Sequence, residues 1–297
     1  MCIRDRVYTD NHLITLNSAY GQKLNGSMKS QLLFGFTGLL QDQEDIENTF
    51  ITITNAQIPV SFYTITSTNN NVSYVKSSIT YNITIPVGNY NSSSLISALT
   101  SSFISSGTTV IITISSINGK LTFASISTFT LKSSSTMGLI LGFTTDILCT
   151  GSTSTTLTYP LNLLGVKKIS IKSDALAISA YSSINFSTSN TLTTIPIDQP
   201  PFNMVSYVNQ SDMNTNILQS RTLNTIDISI VDENNNLLDF NNCDWSISIC
   251  LSIHRTNNIT NNVDLIKFFS ILKESKTELN QKSEKNSLDQ ELEFLVN

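Results

Sequence analysis

The sequence predicts an all-β-dominated protein, a sandwich or barrel of antiparallel strands, with a small α+β domain inserted into it. Three observations lead to this prediction. Short runs of β-branched residues with period-two alternation recur along the chain, polar turn clusters separate them, and residues 85–106 change to helical spacing. The 297 residues suffice for one large sandwich or for two smaller domains.

The strand signal lies in a series of short runs, with clusters such as STNNN, INGK and DENNN between some of them. The runs are 31–40, 49–66, 73–85, 109–115, 120–132, 167–173, 180–188, 225–231 and 244–253. Many short strands joined by polar turns are typical of antiparallel sandwiches and not of alternating β–α units. Pro59 lies inside the second run, which predicts a bulge or a sheet edge there.

The segment 85–106 departs from the strand pattern. It leaves a strand at Pro86 and Gly88, and either Asn89 or Asn91 is placed to cap a helix. Apolar residues then recur at helical spacing and are predicted to share one face: Leu95, Ile96, Leu99, Phe103 and Ile104.

A hairpin and a second short helix complete the inserted unit. Asn118-Gly119 predicts a tight type I′ turn between the strands of the hairpin. Residues 133–143 are predicted to contain the short helix, and their apolar residues are interrupted by Gly142. About 75 residues are enough for a small core of their own. The predicted domains are an N-terminal arm at 1–29, a body at 30–72 and 149–254, an inserted domain at 73–148 and a tail at 255–297.

The tail differs in composition from the rest of the chain. It holds 13 of the 39 charged residues in its 43 positions, and VDLIKFFSILKES (263–275) has the apolar spacing of an amphipathic helix. Two interpretations remain open. The tail is a helical or disordered arm that orders on a partner, or it is a helix packed on its own body.

Composition argues against several classes of function. Charged residues make up 13% of the chain, against about 25% in an average domain, and the net charge of −5 disfavours binding to nucleic acid. The chain has two histidines, His12 and His254, and neither lies in a catalytic or zinc-binding motif. We therefore do not expect a catalytic triad or a histidine-based zinc site. We interpret Cys2, Cys149, Cys243 and Cys250 as reduced and structural.

Two further expectations concern cellular location. No apolar run approaches the roughly 20 residues of a membrane span. The first residues, MCIRDRVYTD, lack the apolar core of a signal peptide, which predicts synthesis in the cytosol.

The stretch VDENNNLLDFNNCDWSISIC (231–250) concentrates carboxylates beside the single tryptophan. Four acidic residues precede Trp245: Asp232, Glu233, Asp239 and Asp244. They could form a metal site or an acid–base pair, or they could belong to a turn between two strands. Calcium needs about six to eight oxygens around one point, and the spacing is not that of an EF-hand. We interpret the stretch as the last hairpin of the sandwich, with its Asp and Asn residues shaping the turn. A carboxylate-based hydrolase using Asp232 and Asp239 is the disfavoured alternative.

The acidic segment QDQEDIE (41–47) is interpreted as a solvated turn. Gly35 and Gly38, just before it, predict a bulge or close packing in a strand.

Several motifs, in their order along residues 30–253, resemble the penton (minor capsid) proteins of virophages and polinton-like viruses. They are TNAQIPVSFYTIT, IPVGNY, LGF, YPLNLLGVKKISI and SIVDENNNLLDFNNCDWSISICLSI. The positions that mark the fold in this comparison are Pro59, Pro86, Gly88, Asn89, Tyr90, Leu141, Gly142, Phe143, Asp232, Asp239, Phe240 and Trp245.

The resemblance implies a single jelly roll with an inserted domain, and a structural role in the virion capsid after assembly inside the host cell. Five copies would form the homopentamer at each icosahedral vertex, beside double-jelly-roll major capsid proteins. The family contributes no catalytic residue, cofactor or metal ligand, so the protein is not expected to be an enzyme. The alternative is a glycan- or receptor-binding jelly roll, such as a fibre or spike base, with residues 73–148 as its exposed head.

Overall fold

The computed structural model describes residues 7–24, 28–41, 45–176, 180–182, 187–210, 215–218, 220–256 and 273. The strands in these ranges are β1 (Val7–Asn17), β2 (Gln22–Lys23), β3 (Gln31–Leu40), β4 (Ile46–Pro59), β5 (Asn71–Lys76), β6 (Ile79–Thr84), β7 (Val110–Ile114), β8 (Lys120–Ser125), β9 (Phe129–Leu131), β10 (Ile147–Cys149), β11 (Ser154–Pro160), β12 (Lys168–Lys172), β13 (Ala180–Ser182), β14 (Ser187–Ser189), β15 (Thr191–Pro196), β16 (Met204–Val208), β17 (Thr215–Leu218), β18 (Leu223–Val231) and β19 (Ser246–Thr256). The helices are α1 (Ser92–Ser105) and α2 (Gly138–Leu141).

Two antiparallel sheets build the body. One has the order β1-β19-β4-β16, with β17 also paired to β4, and the other has the order β15-β12-β18-β3-β2. The strands β5–β11 and the separate β13-β14 hairpin lie outside these two sheets. With β16 and β17 counted as one strand and the short β2 set aside, the first, eighth, third and sixth remaining strands share one sheet. The fifth, fourth, seventh and second strands share the other. This is the strand order of a double-sheet jelly roll, so the predicted fold is confirmed.

The body core forms because facing strands bury alternate residues. Six aliphatic side chains on β18 and β19 are at most 1% exposed: Ile226, Ile228, Ile230, Ile247, Ile249 and Leu251. Full burial of one such side chain contributes about 1.5–3 kcal/mol, so this pair of strands alone supplies a large share of the core. The predicted bulge near Gly35 is present, since the pairing of β18 with β3 shifts between Leu223 and Thr225, and Gly38 has a φ of 68°.

A second hydrophobic core lies between β4 and β12 in the chain. Here β10-β9-β5-β6 and β11-β8-β7 form two small sheets, and α1 packs with them. Tyr74, which is fully buried, stacks on Tyr81 with ring centroids 5.0 Å apart and contacts Phe103 at 4.9 Å. Buried members of this core run from Ile65 to Leu157, and Leu161 and Leu163 pack against it; below, the inserted unit means residues 65–164. The domain limits at 73 and 148 remain a prediction.

Helix α1 begins where the sequence indicates. Asn91 is the N-cap: its Oδ1 accepts from Ser94 N at 2.8 Å, while Ser94 Oγ accepts from Asn91 N at 3.0 Å. Leu95, Leu99 and Phe103 are fully buried, at i, i+4 and i+8. The prediction that Ile104 shares this face is wrong, because the next residue turns about 100° around the helix and is 55% exposed.

The predicted type I′ turn at Asn118-Gly119 is also wrong. Strands β7 and β8 are joined by a longer loop, and only Gly119 of the pair has a positive φ, 67°, whereas a type I′ turn needs two. Ser115 Oγ accepts from Ile117 N at 3.3 Å and from Asn118 N at 3.4 Å. These side-chain bonds stabilise the wider loop and leave Ile117 projecting from it.

Residues 232–245 do not connect the two strands of a hairpin, which corrects the interpretation from sequence. Strand β18 pairs with β12 and β3, whereas β19 pairs with β1 and β4, so the loop crosses from one sheet to the other. Alternating apolar residues show that each strand has a buried face, but they do not show which sheet it joins. We call residues 232–245 the crossing loop; it lies over one end of the jelly roll.

The opposite end of the body holds both terminal strand ends. Val7 of β1 is paired with Thr256 of β19 in an unbroken register, although residues 7–17 were not among the predicted strand runs and lie within the predicted N-terminal arm. The alternation in VYTDNHLITLN is obscured by Asp10, Asn11 and His12. The predicted helix at 263–275 lies outside the described residues, apart from position 273.

Candidate functional site

The first carboxylate of the crossing loop shapes the loop itself. Asp232 Oδ1 accepts from the backbone N–H groups of Asn234 at 2.9 Å and Asn236 at 2.7 Å, and Oδ2 accepts from Asn236 Nδ2 at 3.0 Å. Asn235 adopts a φ of 69°, a conformation that asparagine tolerates well. Asp232 therefore organises the turn, as the sequence predicts.

Phe240 fastens the middle of the loop to the body, and Asp239 shapes the turn beside it. Asp239 Oδ1 accepts from Asn241 N at 2.9 Å. Phe240 is 1% exposed and packs edge-to-face on Phe62, with ring centroids 6.3 Å apart. Ser61 Oγ donates to the Phe240 carbonyl at 2.6 Å, which closes the contact between the loop and the segment after β4.

Trp245 anchors the end of the loop. It is 1% exposed, its ring meets Phe34 edge-to-face with centroids 6.1 Å apart, and its Nε1 donates to the Lys29 carbonyl at 2.8 Å. Its backbone N–H donates to Ser18 Oγ at 3.0 Å. The tryptophan thus joins β19 to β3 across the sandwich and to the chain on either side of β2.

A lysine–aspartate ion pair lies beside Trp245. Lys29 Nζ lies 2.6 Å from Asp244 Oδ1 and donates to the Asn242 carbonyl at 2.9 Å, while Ser18 Oγ donates to Asp244 Oδ1 at 2.8 Å. The hydrogen bond from Lys29, followed by that from Ser18, lowers the pKa of Asp244 below its ordinary value of 3.8.

The pH dependence of this pair follows from the lowered pKa. Because the folded state favours the charged carboxylate, the pair stabilises the fold above pH 3.8, and its contribution is lost as the pH falls through the lower folded-state pKa. We expect Lys29→Met to raise the pKa of Asp244 toward 3.8, measured by NMR titration of the carboxyl carbon. Lys132→Met, which removes a partner of Asp146 instead, should leave the pKa of Asp244 unchanged. An unchanged pKa in Lys29→Met would contradict the assigned pairing.

The IPVGNY motif ties the inserted unit to the segment after β4. Asn89 Oδ1 accepts from Thr64 N at 2.8 Å and from Thr64 Oγ1 at 3.1 Å, and Gly88 forms an antiparallel bridge with Ile65. The Tyr90 hydroxyl donates to the carbonyl of Pro86 at 2.8 Å. These contacts hold residues 86–90, which lead into α1, against residues 64–65, which follow β4.

Pro59 ends β4, at a position where β4 pairs with Met204 of β16 and the register with β19 has already stopped at Gln57. A proline is tolerated there because one side of the strand needs no N–H donor. The prediction of a bulge or a sheet edge at this residue is wrong, because Pro59 is the last residue of a strand that lies between β19 and β16.

The LGF motif forms a tight backbone contact with the end of β11. Gly142 has a φ of 102°, and its carbonyl accepts from Tyr159 N at 2.8 Å. Leu141 and Phe143 on either side are buried in the second core. The glycine is required because a β-carbon at this position would lie 2.1 Å from the Tyr159 carbonyl oxygen.

The motif residues therefore occupy four places and do not converge on one reactive centre. Asp232 and Asp239 line a cleft of about 900 Å³ between the crossing loop and the inserted unit, together with Val87 and Ile140. Among the described residues, no group of three His, Cys, Asp or Glu side chains could hold a metal ion. The oxygens of Asp232 accept hydrogen bonds from within their own loop, which is a structural use of that carboxylate.

The remaining candidate residues are dispersed. His12 is exposed on β1, and His254 packs against Phe50 with ring centroids 4.7 Å apart. Asp45 of the acidic segment pairs with Arg255, and residues 42–44 lie outside the described part of the chain. Cys149, Cys243 and Cys250 are free thiols, and burial raises the pKa of Cys149 to about 11.

Sequence reasoning missed an exposed apolar surface on the inserted unit. Its most exposed members are Ile117 at 96%, Leu139 at 73% and Leu164 at 72%. In the motif YPLNLLG, Leu161 and Leu163 are partly buried against the second core, and alternation does not reveal that Leu164 faces solvent. The glycan-binding alternative for residues 73–148 remains a prediction.

Within the described ranges, no helix combines the length and the apolar character that a membrane crossing needs. No protein-family model matches the chain, and no curated protein sequence matches it significantly. A search of solved structures finds a similarity to the selenomethionine-labelled penton protein of mavirus. The identity is 10%, the alignment covers 84% of this chain and 99% of that chain, and the TM-score is 0.46.

Proposed function

We propose that this protein is a structural capsid protein that forms the pentameric vertex of an icosahedral particle. The observation that supports this most directly is the jelly-roll strand order, with a second folded unit placed between the third and fourth strands of the roll. Double-sheet jelly rolls recur in viral capsid proteins and in lectins. The motif resemblance to penton proteins favours the capsid role.

The arrangement of the two ends suits a vertex. The chain leaves β4 after Pro59 to form the inserted unit, at the end of the sheet where Ser246 of β19 lies. Val7 and Thr256 lie at the other end of the same sheet. In the proposed assembly the inserted unit faces one side of the shell and both terminal segments face the other. The flanks of the body then contact neighbouring copies and double-jelly-roll major capsid proteins.

The mechanism we propose is assembly rather than chemistry. A ring of five copies uses two different surfaces of each chain, because a head-to-tail contact repeats until the ring closes. Charged residues make up only 13% of the chain, so packed copies meet little charge repulsion. Each contact needs only modest area, since five equivalent contacts act together.

The full-length chain at high concentration tests this proposal. We expect native mass spectrometry to give a five-copy mass and negative-stain images to show five-fold rings, alone or with the double-jelly-roll capsid protein. A chain that stays monomeric in both conditions would count against the vertex role. A discrete oligomer with another symmetry would keep the protein structural but exclude the vertex.

A further inference from the structure

Three segments of the inserted unit form one rigid, apolar surface. The Tyr159 N–H donates to the Gly142 carbonyl at 2.8 Å, Asn162 N–H to the Ile140 carbonyl at 2.8 Å, and Leu161 N–H to the Gly119 carbonyl at 2.9 Å. These bonds join α2, the end of β11 and the β7–β8 loop. We call this the junction surface; its apolar members are Ile117, Leu139, Tyr159, Pro160, Leu161 and Leu164.

The junction surface contains both a groove and a projection. A groove of about 640 Å³ is lined by Leu139, Thr144, Tyr159, Pro160, Leu161, Asn162 and Leu164, none of which carries a charge. Ile117, 96% exposed, projects from the loop whose Gly119 packs beside Pro160. An exposed apolar patch with this shape is a typical feature of a protein–protein interface.

Charge restricts what can cover the groove. A charged side chain placed there would be desolvated without a partner, which is costly, so the occupant presents an apolar, uncharged side chain. The β7–β8 loop of another copy of this chain meets that requirement, because residues 104–119 contain no charged residue and include the projecting Ile117.

The chain's own tail meets this charge requirement less well. Residues 257–297 carry 12 charged residues in 41 positions, and charges at 264, 267, 273 and 274 lie in and beside the apolar stretch 263–272. Seating that stretch in the uncharged groove would bring charged side chains against it, where they would be desolvated without a partner.

We propose that the junction surface is the contact between neighbouring inserted units in the assembled ring, with Ile117 of one copy seated in the groove of the next. This inference rests on the proposed vertex function and identifies where its copies meet. Ile117 and the groove lie side by side on the junction surface, because Leu161 N–H donates to the Gly119 carbonyl. One copy can therefore offer Ile117 to one neighbour and its groove to the other, as a closed ring of head-to-tail contacts requires.

A matched pair of full-length variants tests the contact. Ile117→Asp changes the projection, and Ile126→Asp changes an isoleucine that is 81% exposed at the opposite end of β8. Neither side chain supports the core, so both variants should fold. We expect Ile117→Asp to weaken ring formation at least tenfold by sedimentation velocity, and Ile126→Asp to match the parent protein. A parent ring that Ile117→Asp leaves intact would overturn this contact alone, and a parent that never associates would overturn the vertex role with it.

Cysteine cross-linking identifies the occupant. In a Cys243→Ser background, a tagged Ile117→Cys chain mixed with an untagged Leu164→Cys chain should give a tagged–untagged covalent dimer. The same mixture with Ile126→Cys in place of Ile117→Cys should not. Absence of the first dimer from assembled rings would refute the proposed seating. An intramolecular disulfide between Leu164→Cys and Leu272→Cys in dilute monomer would assign the surface to the chain's own tail, which also refutes it.

Discussion

Trp245→Ala is expected to lower the free energy of unfolding by about 3–5 kcal/mol, the usual cost of removing a large buried aromatic side chain. The ring is 1% exposed, meets Phe34 edge-to-face, and donates its N–H to the Lys29 carbonyl at 2.8 Å. Its removal leaves a cavity where both sheets and the crossing loop meet. Urea unfolding followed by far-ultraviolet circular dichroism measures the loss.

Trp245→Phe separates packing from hydrogen bonding. It keeps an aromatic ring but leaves the Lys29 carbonyl without its donor, which costs about 1–3 kcal/mol when the acceptor stays buried. We therefore expect Trp245→Phe to fall between the parent protein and Trp245→Ala. An alanine variant that loses less than about 1 kcal/mol would mean that the ring is not part of the core, contrary to the structure.

Gly142→Ala should destabilise the inserted unit by about 2–6 kcal/mol. The positive φ of 102° costs an L-residue about 1–3 kcal/mol, and a β-carbon 2.1 Å from the Tyr159 carbonyl oxygen forces a backbone shift that costs a similar amount. Hydrogen exchange measures this loss as faster exchange at residues 138–160. Fluorescence of Trp245, the single tryptophan, reports the body separately.

Gly107→Ala is the matched control for the backbone contact. Gly107 also has a positive φ, 81°, but a β-carbon there meets no atom within 4 Å. It should therefore cost only the conformational strain. Equal losses in the two variants would show that the contact between Gly142 and Tyr159 does not constrain the inserted unit, and that the junction surface is less rigid than its hydrogen bonds indicate.

Local patterns were sufficient for several elements. The run 31–40 coincides with β3, because alternation of buried and exposed residues is a property of a single strand. Asn91 and the stripe of Leu95, Leu99 and Phe103 located α1, because capping and helical spacing also act within a few residues. The turn role of Asp232 was likewise predictable, since its hydrogen-bond partners lie within four residues.

Elements that depend on distant partners were not predictable in the same way. Strand β1 has a polar stretch at residues 10–12 that hides its alternation, and its place is set by pairing with β19, more than 200 residues away. The wider loop before Gly119 replaced the predicted tight turn because Ser115 supplies competing hydrogen bonds. The cleft beside Asp239 exists only because the crossing loop and the inserted unit meet.

By itself, the sequence determined that the chain folds mainly as antiparallel strands with an α+β insertion, because side-chain periodicity and turn chemistry are local. The tertiary structure decided which strands share a sheet, and so turned the apparent hairpin at 232–245 into a crossing between the two sheets of a jelly roll. It also decided that Ile117, Leu139 and Leu164 face solvent on one surface. Exposure of an apolar residue depends on what packs over it, and the residues that could do so lie far away in the chain.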